Sequence, residues 1–280
     1  MFKKYTFTAE KEGKHILVLG AVHGNEVAGT IAQNDIIKSI ENGEIKLASG
    51  KITFIPVVNV EAQNKDTRFI DVNLNRVVCW HENPQNNEER IANQLIKEID
   101  SCDVMLDLHS THCKEDEAFA FIDYPSKDNM DFLSLIPVKK ALAGWPDIYQ
   151  GQTINDFCTE RYANQKGKMG ITVECGYHKS EEAIEVARKS ILNVFRYFGI
   201  IDKNDCQKYN PEVVTLCSFV IKKDNGKLSS NYKHMSEVKK GEVIGIYDNG
   251  EKEISPMDGF IIMPNHDAII GSEWFYLGRI

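Results

Sequence analysis

His23 and Glu26 stand three residues apart in the run HGNE, directly after the apolar stretch HILVLGAV and at the start of a run with helical apolar spacing. On a turn or a first helical turn, side chains at i and i+3 can converge on one ion. An imidazole nitrogen and a carboxylate oxygen suit Zn²⁺ at about 2.0–2.2 Å. Gly24 keeps the bulk at the turn small. A catalytic zinc needs a third protein ligand and an open position. His109 is the best candidate, because it ends the apolar run VMLDLH, and parallel α/β sheets gather ligands beyond the carboxyl ends of their strands. A lone HxxE is a weak signal, and it recurs at His178 and Glu181. There Ser180 reads as an N-cap and the two glutamates as first-turn residues. His112, in the loop after His109, reads as a solvated rival. Asp107 reads as support for a ligand rather than as a ligand.

Glu174 lies near the end of another apolar run, ITVECG. A carboxylate there is unfavourable unless it is paired, solvated or functional. Read functionally, it is a general base that takes a proton from metal-activated water and later gives it to the leaving amine. Read structurally, it is a strand-end residue.

These residues need elements to position them. Apolar runs at 15–23, 51–59, 104–110, 118–123 and 169–176 predict strands, and periodic runs at 25–40, 87–101 and 180–199 predict helices. Buried runs separated by helices indicate an α/β domain with a largely parallel sheet. The polar stretch DKNDCQKYNP at 202–211 reads as a linker. Short β-like runs follow it, and DNG at 224–226 and 248–250 reads as hairpin turns. The expected division is therefore a catalytic domain at 1–205 and a small all-β domain at 211–280 that shapes the cleft.

Composition narrows the function classes. The 280 residues are 42% hydrophobic and 26% charged, with a formal net charge of -8. That balance disfavours nucleic acid as a partner, because phosphate binding relies on clustered Lys and Arg. It permits an anionic small molecule in a local cationic pocket. No apolar run approaches the length of about 20 residues that spans a bilayer. The amino-terminal stretch lacks a signal-peptide layout, and the seven cysteines show no CxxC pair. These features predict free thiols and a cytoplasmic location. The oligomeric state, including a homo-oligomer, stays open.

The motifs GAVHGNE (20–26), TRFIDVNLNR (67–76), DLHST (107–111) and VECG (173–176), in this order, resemble the succinylglutamate desuccinylase/aspartoacylase family, a branch of the zinc carboxypeptidase fold. The resemblance spans most of residues 15–200. It implies one Zn²⁺ per chain held by His23, Glu26 and His109, with Glu174 as the catalytic carboxylate. It implies that Asn75 and Arg76 hold a substrate carboxylate and that Arg68 points at the scissile carbonyl. Such roles fit arginine, which grips carboxylates bidentately and opposes charge on an oxyanion. The implied fold is a zinc carboxypeptidase-like mixed α/β sheet with helices on both faces, followed by a small carboxy-terminal all-β domain. Two departures stand out. Asn73 takes the place of an acidic residue, and Arg161, the only arginine between His109 and Glu174, does not match the spacing of the family's further substrate-gripping arginine.

The expected activity is hydrolysis of the amide bond of a small N-acyl amino acid. A zinc carboxypeptidase acting on peptides would share every residue named. A non-catalytic metal-binding protein would have no use for Glu174. A His/Glu/His set also takes Co²⁺, Ni²⁺ or Mn²⁺.

Overall fold

A computed structural model describes residues 1–149 and 157–280. The chain divides into two units. The described residues of Met1–Ala141 and Gln152–Pro211 form one, and those of Leu142–Gly151 and Glu212–Ile280 form the other.

In chain order the elements are β1 (Tyr5–Thr8), β2 (His15–Gly20), α1 (Ala28–Glu41), β3 (Lys51–Ile55), α2 (Val60–Asn64), a 3₁₀ turn at Leu74–Arg76, α3 (Asn87–Ser101), β4 (Val104–Thr111), β5 (Phe119–Phe121), α4 (Lys127–Leu133), β6 (Lys140–Ala143), α5 (Trp145–Ile148), α6 (Thr159–Gln165), β7 (Met169–Tyr177) and α7 (Glu181–Tyr197). The strands β8 (Glu212–Ile221), β9 (Gly226–Leu228), β10 (Ser236–Val238), β11 (Val243–Tyr247), β12 (Lys252–Ile254), β13 (Gly259–Ile262) and β14 (Glu273–Arg279) follow.

In the first unit the sheet runs β1-β3-β2-β4-β7-β5. The four central strands are parallel, whereas β1 and β5 pair antiparallel at either side. The fold is the zinc carboxypeptidase-like mixed α/β class expected above. The centre is parallel because each of its strands is apolar on both faces. On β2, Ile16 to Leu19 are all fully buried. Leu17 and Leu19 pack with Leu95 and Ile99 of α3, while Leu108 of β4 lies beneath Gly29 of α1 on the opposite face. The helices start where side chains satisfy their free amides. Asn86 accepts from Glu89 N at 2.9 Å, and Ser180 accepts from Ala183 N at 3.1 Å, the cap expected there.

Three local expectations change. The helix predicted from residue 25 begins at Ala28, with Val27 at its cap and no side-chain cap bond, so His23 to Val27 form an irregular turn. The strand predicted over 51–59 stops at Ile55, because the chain must turn at Pro56 towards α2. Residues 224–226 do not close a hairpin, since β8 pairs with β14 and β9 with β11. Residues 248–250 do close one, between β11 and β12, with Gly250 at φ 90°.

The second unit is all-β apart from α5. It contains the antiparallel run β8-β14-β13-β10 and a three-stranded sheet β12-β11-β9. Its core centres on the fully buried Trp274, with Ile244, Tyr247, Val238 and Leu277. Among the described residues, no helix is long and apolar enough to cross a membrane.

Candidate active site

Beyond the carboxyl end of β2 the chain must reverse without bulk. Ala21 adopts a left-handed conformation (φ 44°), and a side chain at Gly24 would collide with the backbone of Ala62 and Gln63. The turn is locked when Glu26 N donates to His23 O at 3.1 Å. This places His23 and Glu26 next to His109, near the end of β4, and all three residues are at most 3% exposed. The Nδ1 atoms of His23 and His109 lie 3.1 Å apart, and each is 2.8 Å from a different oxygen of Glu26.

The outer nitrogens fix the tautomers. Asn73 Oδ1 accepts the backbone N–H of Asn75, so it is an oxygen, and His23 Nε2 must donate to it at 3.0 Å. Asp107 Oδ2 accepts from Thr159 Oγ1 at 2.5 Å, and His109 Nε2 donates to the same carboxylate oxygen at 3.0 Å. Each ring then turns an unprotonated Nδ1 inward, towards an anionic carboxylate. With both rings neutral, three acceptors face one another with no donor among them, a set that suits a divalent cation. A proton is the other cation this set can hold. Burial pushes the His23 ring down. Burial also opposes charge on His109, yet Asp107 and Glu26 hold its pKa well above the ordinary value. Burial would raise Glu26, but His23 and His109 pull it well below the usual carboxylate range. The buried His23, Glu26 and His109 group can therefore hold a metal ion.

Glu174 is the register partner of His109 on the adjacent parallel strand, so both side chains leave the same face of the sheet. Its Oε2 is buried and makes no hydrogen bond. Burial, and after it the Glu26 carboxylate, push this carboxyl up to about 7.

Arg68 donates to Glu26 Oε1 at 2.7 Å while its side chain stays half exposed. Asn75 is buried beside His109, with Nδ2 3.3 Å from His109 Nε2 and Oδ1 accepting from Thr159 N at 3.3 Å. Arg76 is half-buried and donates to Asn75 O at 2.9 Å. His112 is exposed and outside the group. Asp107 lies behind His109, bonded to its outer nitrogen. Three contributors had no sequence signal: Thr159, which bonds Asp107; Ser110, whose N–H donates to Glu26 Oε2 at 3.2 Å; and Asn73 in its role behind His23.

Residues 12–198 match the model of the succinylglutamate desuccinylase/aspartoacylase catalytic domain. The chain belongs to this family. Among curated relatives, a succinylglutamate desuccinylase of Shewanella baltica is 30% identical over 187 residues, which cover 60% of this chain and 52% of that protein. An aspartoacylase of Danio rerio is 27% identical over 155 residues, covering 51% of this chain and 48% of that one. The chain thus spans about half the length of the curated relatives it matches. Among solved structures, a succinylglutamate desuccinylase/aspartoacylase of Rhodobacter sphaeroides superposes with a TM-score of 0.75 at 17% identity, over 96% of this chain and 86% of that one. The product-bound ectoine utilization protein EutE of Ruegeria pomeroyi gives 0.78 at 18%, over 99% and 88%. At these identities the structural likeness shows the fold alone.

Proposed function

We propose that this family member hydrolyses the amide bond of a small N-acyl amino acid, using one Zn²⁺ held by His23, Glu26 and His109. The observation that carries the reading is the convergence of two inward Nδ1 atoms and a carboxylate, with an unpartnered carboxyl oxygen of Glu174 on the same sheet face. When bound, the ion supplies Lewis acidity, polarising a carbonyl oxygen and making water more acidic. Glu174 takes the proton of the attacking water at a carboxylate oxygen and returns it to the leaving nitrogen. Its buried Oε2, which has no hydrogen-bond partner, is placed to take that proton. Arg68, anchored on Glu26, sets a fixed cation against the charge that develops on the carbonyl oxygen. The Arg76 fork and the Asn75 amide orient the substrate through its carboxylate. The seven free thiols suit a reducing, cytoplasmic compartment.

The test is turnover against a panel of N-acyl amino acids and short peptides, before chelation, after it, and after zinc is restored. Release of free amino acid that disappears with the metal and returns with zinc is the expected result. Preferential cleavage of peptides would make the protein a carboxypeptidase, and no turnover at all would make it a binding protein.

A further inference from the structure

The loop from Arg68 to Arg76 carries three candidate substrate contacts and Asn73, which bonds His23. Its middle has almost no backbone pairing of its own. Among the described residues, the bonds recorded for the amides of Ile70, Asp71 and Val72 all run to one side chain. Glu88, in the first turn of α3 and fully buried, accepts from Ile70 N at 2.8 Å, Asp71 N at 3.1 Å and Val72 N at 3.3 Å. It also accepts from Asn59 Nδ2 at 2.9 Å, and Asn59 N donates to Ala21 O at 2.9 Å, in the turn that leads to His23. The clamp is reciprocal, because Asp71 Oδ2 accepts Asn87 N at 2.9 Å.

We propose that Glu88 is a positioning residue that sets the Arg68–Arg76 loop, and through it the carboxylate grip and the His23 ring. A buried carboxylate is costly unless its acceptors are filled, and three successive amides fill these. Burial alone would raise this carboxyl, but the Ile70 amide, Asn59 and the next two amides bring it below the usual value. The charge therefore persists at neutral pH and ties three successive loop amides to one buried carboxylate.

The test compares Glu88→Gln with the full wild-type chain. Gln keeps the size but turns an NH₂ towards an amide donor. Hydrogen–deuterium exchange at residues 70–72 should quicken by about tenfold or more, the effect expected when a bond to a charged group is lost. Exchange in β2 and β4 and the zinc content should hold. KM for the N-acyl amino acid should rise on the order of tenfold, with kcat changed less. Unchanged exchange at 70–72, or quickened exchange with unchanged KM, would overturn the proposal. Asp71→Ala removes only the reciprocal bond at an exposed side chain and should move both readouts in the same direction by less. Should the Gln variant fail to fold, this second variant decides, and wild-type exchange and KM in it would overturn the proposal. The kinetic arm rests on the deacylase reading above, whereas the exchange arm does not. A wild-type chain that cleaves no N-acyl amino acid sinks that reading alone, and the loop is then judged by exchange.

Discussion

The buried His/Glu/His trio and the arginine loop lie against each other and are held in opposite ways. His23, Glu26 and His109 are almost wholly buried, and each ring is anchored at its outer nitrogen while its inner nitrogen meets Glu26. Arg68 is half exposed and Arg76 half-buried, and the loop between them hangs on the carboxylate of Glu88. The first region has no spare member, so loss of one should be all-or-none. The second has fewer constraints, so its losses should be graded.

The largest effect is expected at the ligands. His23→Ala and His109→Ala should each lose nearly all bound zinc and all turnover, because three protein ligands hold the ion. His112→Ala should keep both. Metal analysis of the purified variants checks this, and near-stoichiometric zinc in the first two would break the assignment.

Glu174→Gln comes next. Gln is nearly isosteric, so fold and zinc content should survive. It cannot take up a proton, so turnover should fall by about 10²–10⁴-fold, the usual worth of a positioned acid–base group. Normal turnover would reduce Glu174 to a strand-end carboxylate. Loss of zinc would move it into the metal site.

Asp107→Asn probes the outer anchor. Asn cannot be relied on to accept from both His109 and Thr159, so the imidazole loses its fixed tautomer. Zinc affinity, read by competition with a chelator, should weaken about 10–100-fold. An unchanged affinity would mean that β4 alone orients His109. In the graded region, Arg76→Lys keeps the charge and loses the bidentate fork, so KM should rise on the order of tenfold with little change in Tm. Misfolding would make Arg76 a structural residue instead.

The two regions also differ in how far the sequence shows them. His23, Glu26, His109 and Glu174 are polar groups ending or interrupting apolar runs, and that anomaly can be read from type and position. The central strands are legible for the same reason: β2, β4 and β7 are continuous apolar runs. Short edge elements are not. The burial of β1 alternates over only four residues, and β5 has three, too few for a period to emerge. The start of α1 is hidden because Val27 caps it without a side-chain bond. Apart from the family motif around them, Arg68 and Arg76 carry no signal that separates them from surface arginines. Thr159, Ser110 and Glu88 act through contacts between segments distant in sequence, which spacing does not encode. Glu88 in particular satisfies the ordinary preference for acids in a first helical turn, so its type carried no surprise.

The smallest effect concerns Glu174, which sits with the buried trio yet, unlike it, leaves one carboxyl oxygen without a partner. In protein stripped of metal by a chelator, its folded pKa of about 7 stands above the ordinary 4.5. The folded state therefore binds this proton more tightly than the unfolded state. The group's contribution to stability is fully present below about pH 4.5, is lost as pH rises to about 7, and is flat above that. The Gln variant carries no such titration. Its stability relative to wild type should rise across that window by about 2 kcal/mol, a value discounted because the residue is only partly buried. For a chain of this size the gain corresponds to a Tm difference on the order of 5 °C at pH 8 and almost none at pH 4. Titrating groups distant from Glu174 act equally in both proteins and cancel, so the difference reads Glu174 together with its charged neighbours Glu26 and His109. Thermal melts of the chelated pair from pH 4 to pH 8 measure it. A difference independent of pH would mean that Glu174 ionises as readily as a surface carboxylate, and the poised proton carrier would have to be another group on this face of the sheet.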